Sequence, residues 1–426
     1  MVHQSPYVMH WQCINLYFSN AQFYSVLLKE TLRSIVKTQH AELEALEYGI
    51  ERTIGEKIDL KLPFAIILSG IRRCGKSTLL RQVMKKANNP YYFNFEDPRA
   101  TGFEVNDFQK LNDIFKEEYG ESNSYFFDEI QNVEQWELFV RTMLDRKKHF
   151  LITGSNASLM SKELGTRLTG RHLKHELFPF SYAEFLNFTS RKEGVNSFSD
   201  YVQKGGFPEY LRYGRSDILQ ELFNDIIMRD IVVRHKLRSP KTIKEMALFL
   251  ISNVGVEFSY NSLAKTFNLG STNSAIAFVS YLEDSYLLFT VSKFDYSLKK
   301  QAVNPKKVYV VDNGLADLNS VSFSSNKGRM LENCVFTELR RAGKEIFYFR
   351  GDKECDFLIK EKNAITKAIQ VCYELNEDNK NREIDGLMEA LKKFDLPEGL
   401  ILTHNQQDKL EISGKTIKVC PAWSWF

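Results

Sequence analysis

The chain has 426 residues, 43% of them hydrophobic, and its 57 basic and 54 acidic side chains leave a formal charge of +3. That length accommodates roughly two to four domains, while near-neutrality excludes a global field that would draw the molecule onto nucleic acid or anionic lipid, so such contacts need a local patch. The 6 cysteines (Cys13, Cys74, Cys334, Cys355, Cys372, Cys420) form no CxxC pair and no apolar run is long enough to span a bilayer, which points away from disulfide frameworks, zinc and membranes and toward a reduced, cytoplasmic protein.

Residues 1–26 are aromatic-rich and, histidines aside, carry no charge; a disordered segment, or one preceding the true initiating Met, is expected there. From Leu27 to Thr53 charged and apolar residues alternate at three-to-four spacing, which predicts a helix. Four short apolar runs follow, "FAIILSG" (64–70), "YYFNFED" (91–97), "SYFFDEI" (124–130) and "HFLITGS" (149–155), separated by helical texture such as "KSTLLRQVMKKA" and residues 136–146. Continuous apolar strands alternating with helices predict a parallel α/β sheet covered on both faces. The expected organisation is therefore an α/β domain with its leading helix over 27–176 and a helical region over 177–238, broken by a loop at "KGGFPEYL" (204–211). Residues 239–300 read as helix, turn, helix and closing strand, the order of a winged helix. Residues 301–426 read as a second α/β domain, with helices at 328–342 and 381–394 among its strands.

Gly70, Gly75, Lys76 and Ser77 fit G-x-x-x-x-G-K-[ST] between a strand and a helix. The glycines permit a tight loop whose N–H groups face phosphate, the helix N-terminus adds positive potential, Lys76 reaches the β/γ oxygens and Ser77 ligates Mg²⁺. Arg73, Cys74 and Thr78 complete the expected ATP-binding stretch, and Cys74 is expected to make binding sensitive to thiol alkylation. "SYFFDEI" delivers Asp128 and Glu129 at a strand's C-terminal end, where Asp128 would hold Mg²⁺ through water and Glu129 would polarise the attacking water. "TGSNASL" places Asn156, with Thr153 and Ser155, where a small polar group senses the γ-phosphate or caps the next helix. Arg167 and Arg171 in "GTRLTGRHLKHEL" are candidates for an arginine finger.

Together "GIRRCGKST", "YFFDEIQNVEQW", "LITGSNASLM" and "LTGRHLKHELFPFSYAEFL" resemble prokaryotic AAA-type ATPases whose C-terminal half carries a winged helix and a restriction-endonuclease-like domain. The resemblance implies an α/β P-loop NTPase sheet with a helical lid, followed by a winged helix and a second, nuclease-like α/β domain, with ATP and Mg²⁺ as cofactors. It also implies Gly70, Gly75, Lys76 and Ser77 as phosphate and magnesium binders, Asp128 and Glu129 as the acidic pair, Asn156 as sensor, and Arg171 at the family's arginine position.

The segment Ser271 to Tyr286, in the place of a recognition helix, holds no Lys or Arg and ends on Glu283 and Asp284, which would repel a phosphate backbone. A brace or protein contact is expected there rather than base reading. In the last domain Glu332 on a helix, Glu354 and Asp356 on one strand, and Gln370 and Cys372 on the next follow the order of a PD-(D/E)xK nuclease core, which needs carboxylates for Mg²⁺ and a lysine. Gln370 and Cys372 stand where an acid and the lysine belong, so a catalytically degenerate centre is expected, with Lys353, Lys360, Lys367 and Glu374 as nearby substitutes. Three readings result. The first is a Mg²⁺-dependent ATPase acting as a nucleotide-driven switch on its C-terminal domains, through a protein partner or a second copy of itself. The second is an ATP-gated nuclease or binder of DNA or RNA using Glu332, Asp356 and Gln370; the third is a nucleotide-bound scaffold without turnover.

Overall fold

The computed structural model describes residues 27–45, 48–160, 162–320 and 326–426, so the expectation for 1–26 lies outside the described residues. Five parallel strands, β1 (Ala65–Ser69), β2 (Tyr91–Asn94), β3 (Ser124–Asp128), β4 (His149–Gly154) and β5 (His172–Glu176), form a sheet of order β2-β3-β4-β1-β5. Their continuous apolar character has a direct cause, because successive side chains enter two different cores. Ala65, Ile67, Phe127, Phe150 and Ile152 pack under the helices Lys29–Ala45, Asp107–Tyr119 and Trp136–Asp145. Ile66, Leu68, Phe126 and Leu151 join a second core that extends through the rest of the chain. β5 is a strand without an apolar run, and the sequence reading names no strand there: "HLKHE" lies on the sheet edge and is half-buried throughout.

The helical region comprises Tyr182–Thr189, Val195–Lys204, Pro208–Tyr213, Ser216–Asp225 and a π-helix, Ile226–Val233. It leads to helix Pro240–Ser252, β6 (Glu257–Phe258), helices Tyr260–Thr266 and Thr272–Asp284, and β7 (Leu288–Ser292). Strand β8 (Lys306–Val310), grouped by its sequence with the C-terminal domain, pairs antiparallel with β6 and β7 in a three-stranded sheet of order β6-β8-β7. An apolar run announces a strand but not its neighbour, and here the preceding hairpin partner claims it. Glu283 also departs from expectation: its carboxylate accepts from the Thr290 amide (3.0 Å) and hydroxyl (2.8 Å), facing β7 rather than solvent. Helix Thr272–Asp284 packs on segment Ala157–Met160, which follows β4, and Tyr281 stacks on His235 at 3.7 Å.

The C-terminal sheet has order β13-β14-β12-β11-β10-β9, built from β9 (Glu345–Arg350), β10 (Glu354–Glu361), β11 (Ala364–Val371), β12 (Glu398–Thr403), β13 (Asp408–Ile412) and β14 (Lys415–Pro421). Helix Lys380–Lys393 covers one face through Leu387 and Leu391. Helix Lys327–Arg341 covers the other, and its Leu331, Val335 and Phe336 lie in the same core as the inner face of the first sheet.

Candidate nucleotide site and C-terminal acidic centre

β1 runs into the loop at Gly70, where an added Cβ would meet the Leu177 carbonyl oxygen at 2.1 Å, so no larger residue fits. Gly75 takes φ +103°, a left-handed conformation that L side chains rarely adopt, and turns the chain into helix Lys76–Met84. The first amides of that helix have no partner within it and open onto the cleft. Lys76 Nζ donates to the carbonyls of Gly70 (3.0 Å) and Ile71 (3.1 Å) and stands 3.8 Å from Glu129.

β3 and β4 bring the acidic pair beside the loop. Asp128 is fully buried and accepts from the hydroxyls of Thr153 and Ser77, so Ser77 and Asp128 meet directly. Burial and the adjacent Glu129 push the Asp128 carboxyl above its ordinary range. Burial acts the same way on Glu129, but the Lys76 ammonium and the Gln131 amide outweigh it and hold Glu129 low. Adjacent carboxyls are thus driven apart in acidity, as in sites that divide two tasks between two acids. The Glu129 amide donates to Thr153 Oγ1 (3.2 Å), and Asn156, buried at the same end of β4, accepts from Ser69 Oγ at its carbonyl (2.9 Å).

Gly75, Lys76, Ser77 and Glu129 border a cleft of about 330 Å³ whose lining also includes Phe180, Phe188 and Pro208, while Ser77 and Asp128 border an adjoining cleft of about 800 Å³. Thr78 lines the smaller cleft as well. Together they offer amides, an ammonium, a hydroxyl–carboxylate pair and flat apolar walls, a set that fits a nucleoside triphosphate with Mg²⁺.

The structure does not bring every expected residue to this cleft. Cys74 contributes backbone only: its thiol is fully buried, donates to the Leu177 carbonyl (3.4 Å) and is pushed up by burial, which corrects the expectation of ready alkylation. Arg171 precedes β5, and its carbonyl accepts from the Ala65 amide (3.1 Å) at the start of β1. In a parallel sheet that is the end opposite the loop, and its guanidinium pairs with Asp145 (2.6 Å), so Arg171 does not reach its own chain's phosphate site. Arg167 likewise pairs with Glu137 (2.6 Å). Arg73, expected in the nucleotide stretch, lines the cleft but turns its guanidinium to Glu209 (2.8 Å).

Other residues at the site carry no local signal. Arg52, with its side chain 3% exposed, lines the cleft, pairs with Glu184 (3.0 Å) and donates to the carbonyls of Cys74 (2.8 Å) and Phe178 (2.7 Å), tying the loop to the helical region. Arg72 pairs with buried Asp230 of the π-helix (3.2 Å) and with Glu96 (3.1 Å).

In the C-terminal domain Glu332, Glu354 and Asp356 do converge, and the cation among them is Lys307 of β8. Burial lowers the Lys307 ammonium, but Asp356 and Glu332 more than offset it and leave it well above its usual range, while burial and Asp356 raise Glu332. Gln370 is committed to the protein: Oε1 accepts from the Asp356 amide (3.2 Å) and Nε2 donates to Glu383 (2.6 Å). The Cys372 thiol donates to the Glu374 carbonyl (3.0 Å). Among the described residues no group of three or more His, Cys, Asp or Glu side chains is arranged to hold a metal ion, and no helix is long and apolar enough to cross a membrane.

A family model described as an AAA domain matches residues 63–186. Two further models, for domains of unknown function DUF8612 and DUF4143, match residues 195–323 and 327–425. The chain is 37% identical over 410 residues to the uncharacterized protein MJ1544 of Methanocaldococcus jannaschii, covering 88% of this chain and 91% of that protein. It is 30% identical over 386 residues to an uncharacterized protein of Haemophilus influenzae, covering 84% and 94% respectively. The solved structure of the Aeropyrum pernix Orc1 protein in complex with DNA aligns at 14% identity over 75% of this chain and 97% of that one, with a TM-score of 0.31, a likeness too slight to bear on function.

Proposed function

Because this chain belongs to the same family as the Methanocaldococcus jannaschii and Haemophilus influenzae proteins, and carries an AAA-type P-loop ATPase domain, we propose that it hydrolyses ATP with Mg²⁺ and turns nucleotide state into rearrangement of its C-terminal half. Lys76 exchanges the carbonyls of Gly70 and Ile71 for β/γ-phosphate oxygens, and the amides at the start of helix Lys76–Met84 cradle the same group. Ser77 and Asp128 would hold a magnesium ion, which when bound would offset charge on those oxygens. Glu129, kept ionised beside Lys76, accepts a hydrogen bond from the attacking water and orients it. Asn156 lies buried at the end of β4 next to Ser155, and Arg167 and Arg171, paired elsewhere, supply no finger to their own chain's site.

One observation carries the switch: the phosphate loop is ion-paired to the helical region, Arg72 to Asp230 and Arg73 to Glu209. A charge arriving at the loop competes for those arginines and changes the hold on the π-helix and on helix Pro208–Tyr213. The path continues through helix Lys327–Arg341, whose Arg340 grips Glu176 with two hydrogen bonds (2.7 and 2.9 Å) and whose Arg341 donates to the Pro179 carbonyl (3.1 Å). Residues 240–310 run helix–strand–helix–helix–strand–helix–strand, the short helix Leu298–Val303 lying between β7 and β8, and we read this unit as a winged helix. With Tyr281 stacked on His235 and helix Thr272–Asp284 against Ala157–Met160, it serves as a brace.

Steady-state phosphate release tests the reading. Lys76→Ala should abolish it, and Glu129→Gln should bind ATP and turn over about 10²-fold or more slowly. Wild-type turnover in Lys76→Ala would place the chemistry elsewhere, and negligible release by the wild-type protein would favour the scaffold.

A further inference from the structure

Lys307 is 1% exposed at the side chain and sits in the middle strand of the three-stranded sheet, yet every one of its ionic partners belongs to the C-terminal domain. Its ammonium is 2.6 Å from Glu354, 2.9 Å from Asp356 and 3.2 Å from Glu332. An ammonium has three donors and no acceptor; Lys307 donates hydrogen bonds to Asp356 and Glu332 and pairs ionically with Glu354. Mg²⁺ would require oxygens at about 2.0–2.1 Å in octahedral array.

Two protein donors besides Lys307 serve the centre. Asp356 Oδ2 accepts from the Val371 amide (3.0 Å), and Glu332 accepts from the Tyr309 hydroxyl (2.6 Å). Gln370, at the place of a third metal ligand, is held by the Asp356 amide and Glu383. On the rim, Arg350 pairs with Glu257 of β6 (2.8 Å) and reaches Glu354 (3.6 Å), a second bond between the same two units.

We propose that Lys307 is the resident cation of this centre: its ammonium stands where a hydrolytic carboxylate centre would hold a divalent metal. The centre is then a metal-free ionic clasp joining β8 to β10 and helix Lys327–Arg341. It follows that removing Lys307 uncovers a latent cation site, because three close carboxylates, Asp356 buried and Glu332 and Glu354 partly exposed, repel one another when left together and gain from a divalent ion.

The test is Mn²⁺ binding to the full chain without nucleotide, followed by electron paramagnetic resonance, for wild type, Asp356→Asn, Lys307→Ala, Lys307→Met and Lys307→Ala/Asp356→Asn. Wild type and Asp356→Asn should bind equally little. Lys307→Ala, or the volume-preserving Lys307→Met, should gain one ion per chain that Asp356→Asn removes. Stoichiometric Mn²⁺ on the wild-type chain that Asp356→Asn abolishes would overturn the proposal, and that arm needs no Lys307 variant to fold. A folded Lys307 variant with no gain in Mn²⁺ binding would overturn it equally.

Discussion

Replacing Glu184 by alanine should loosen the phosphate loop through Arg52. Glu184, 6% exposed, accepts from Arg52 Nε (3.0 Å), the Thr53 amide (3.0 Å) and the Ser181 amide (2.9 Å), the last as half of a capping box. Burial pushes its carboxyl up, but Arg52 more than offsets this and holds it low, so it is ionised at neutral pH. Removing one member of a buried pair costs about 3–5 kcal/mol because the other charge stays buried and unpaired, and the lost hydrogen bond from the Ser181 amide adds about 0.5–1.5 kcal/mol. For a unit of this size the thermal midpoint should fall by roughly 10–20 °C. Arg52 also anchors the Cys74 carbonyl, so ATP affinity should fall with stability. Thermal melts with and without ATP measure both. A shift below about 2 °C with unchanged ATP affinity would show that the pair does not hold the loop.

Arg340→Ala removes a partly exposed pair with Glu176, so stability should change by no more than about 1 kcal/mol, while hydrogen exchange in helix Lys327–Arg341 should lose its response to nucleotide; an intact response would place the coupling elsewhere. Asp312 is raised by burial from 3.8 to about 6, against the Gly206 and Leu315 amides that donate to it. The folded protein therefore holds a proton there that the unfolded chain releases, and this contribution is complete below about pH 4 and lost as pH rises through about 6. The stability advantage of wild type over Asp312→Asn should shrink by about 3 kcal/mol between pH 4 and 7, and a pH-independent difference would rule out burial as the cause. Cys74 should label with iodoacetamide only at the rate of local opening, slower than the partly exposed Cys420; labelling of both at similar rates would contradict the packing of its thiol against Leu177.

Much of the nucleotide site is legible in the sequence because its spacing is set by backbone geometry. Gly70 and Gly75 meet steric demands a few residues apart, and an apolar strand that ends in two acids places Asp128 and Glu129 beside them. What the sequence hides are partners distant along the chain: Arg52 and Glu184 lie 132 positions apart, Lys307 and Asp356 49. No local pattern marks either arginine or lysine, since the need for each arises only once the opposing carboxylate is buried. Strand β5 was illegible for a different reason, its edge position leaving polar residues on both faces. Arg171 fits the pattern of a finger in sequence, but the direction of β5 carries it to the wrong end of the sheet.

The central claim is that nucleotide chemistry at Lys76 and Glu129 is felt at helix Lys327–Arg341 and β8. Hydrogen exchange on the full chain tests it most directly, comparing Glu129→Gln held with ATP against the same variant with ADP. Coupling of about 1–3 kcal/mol predicts exchange rates in residues 306–310 and 327–341 that differ about 5-fold or more between the two nucleotides. Superimposable exchange in both segments, with the phosphate loop itself protected by ATP, would contradict it.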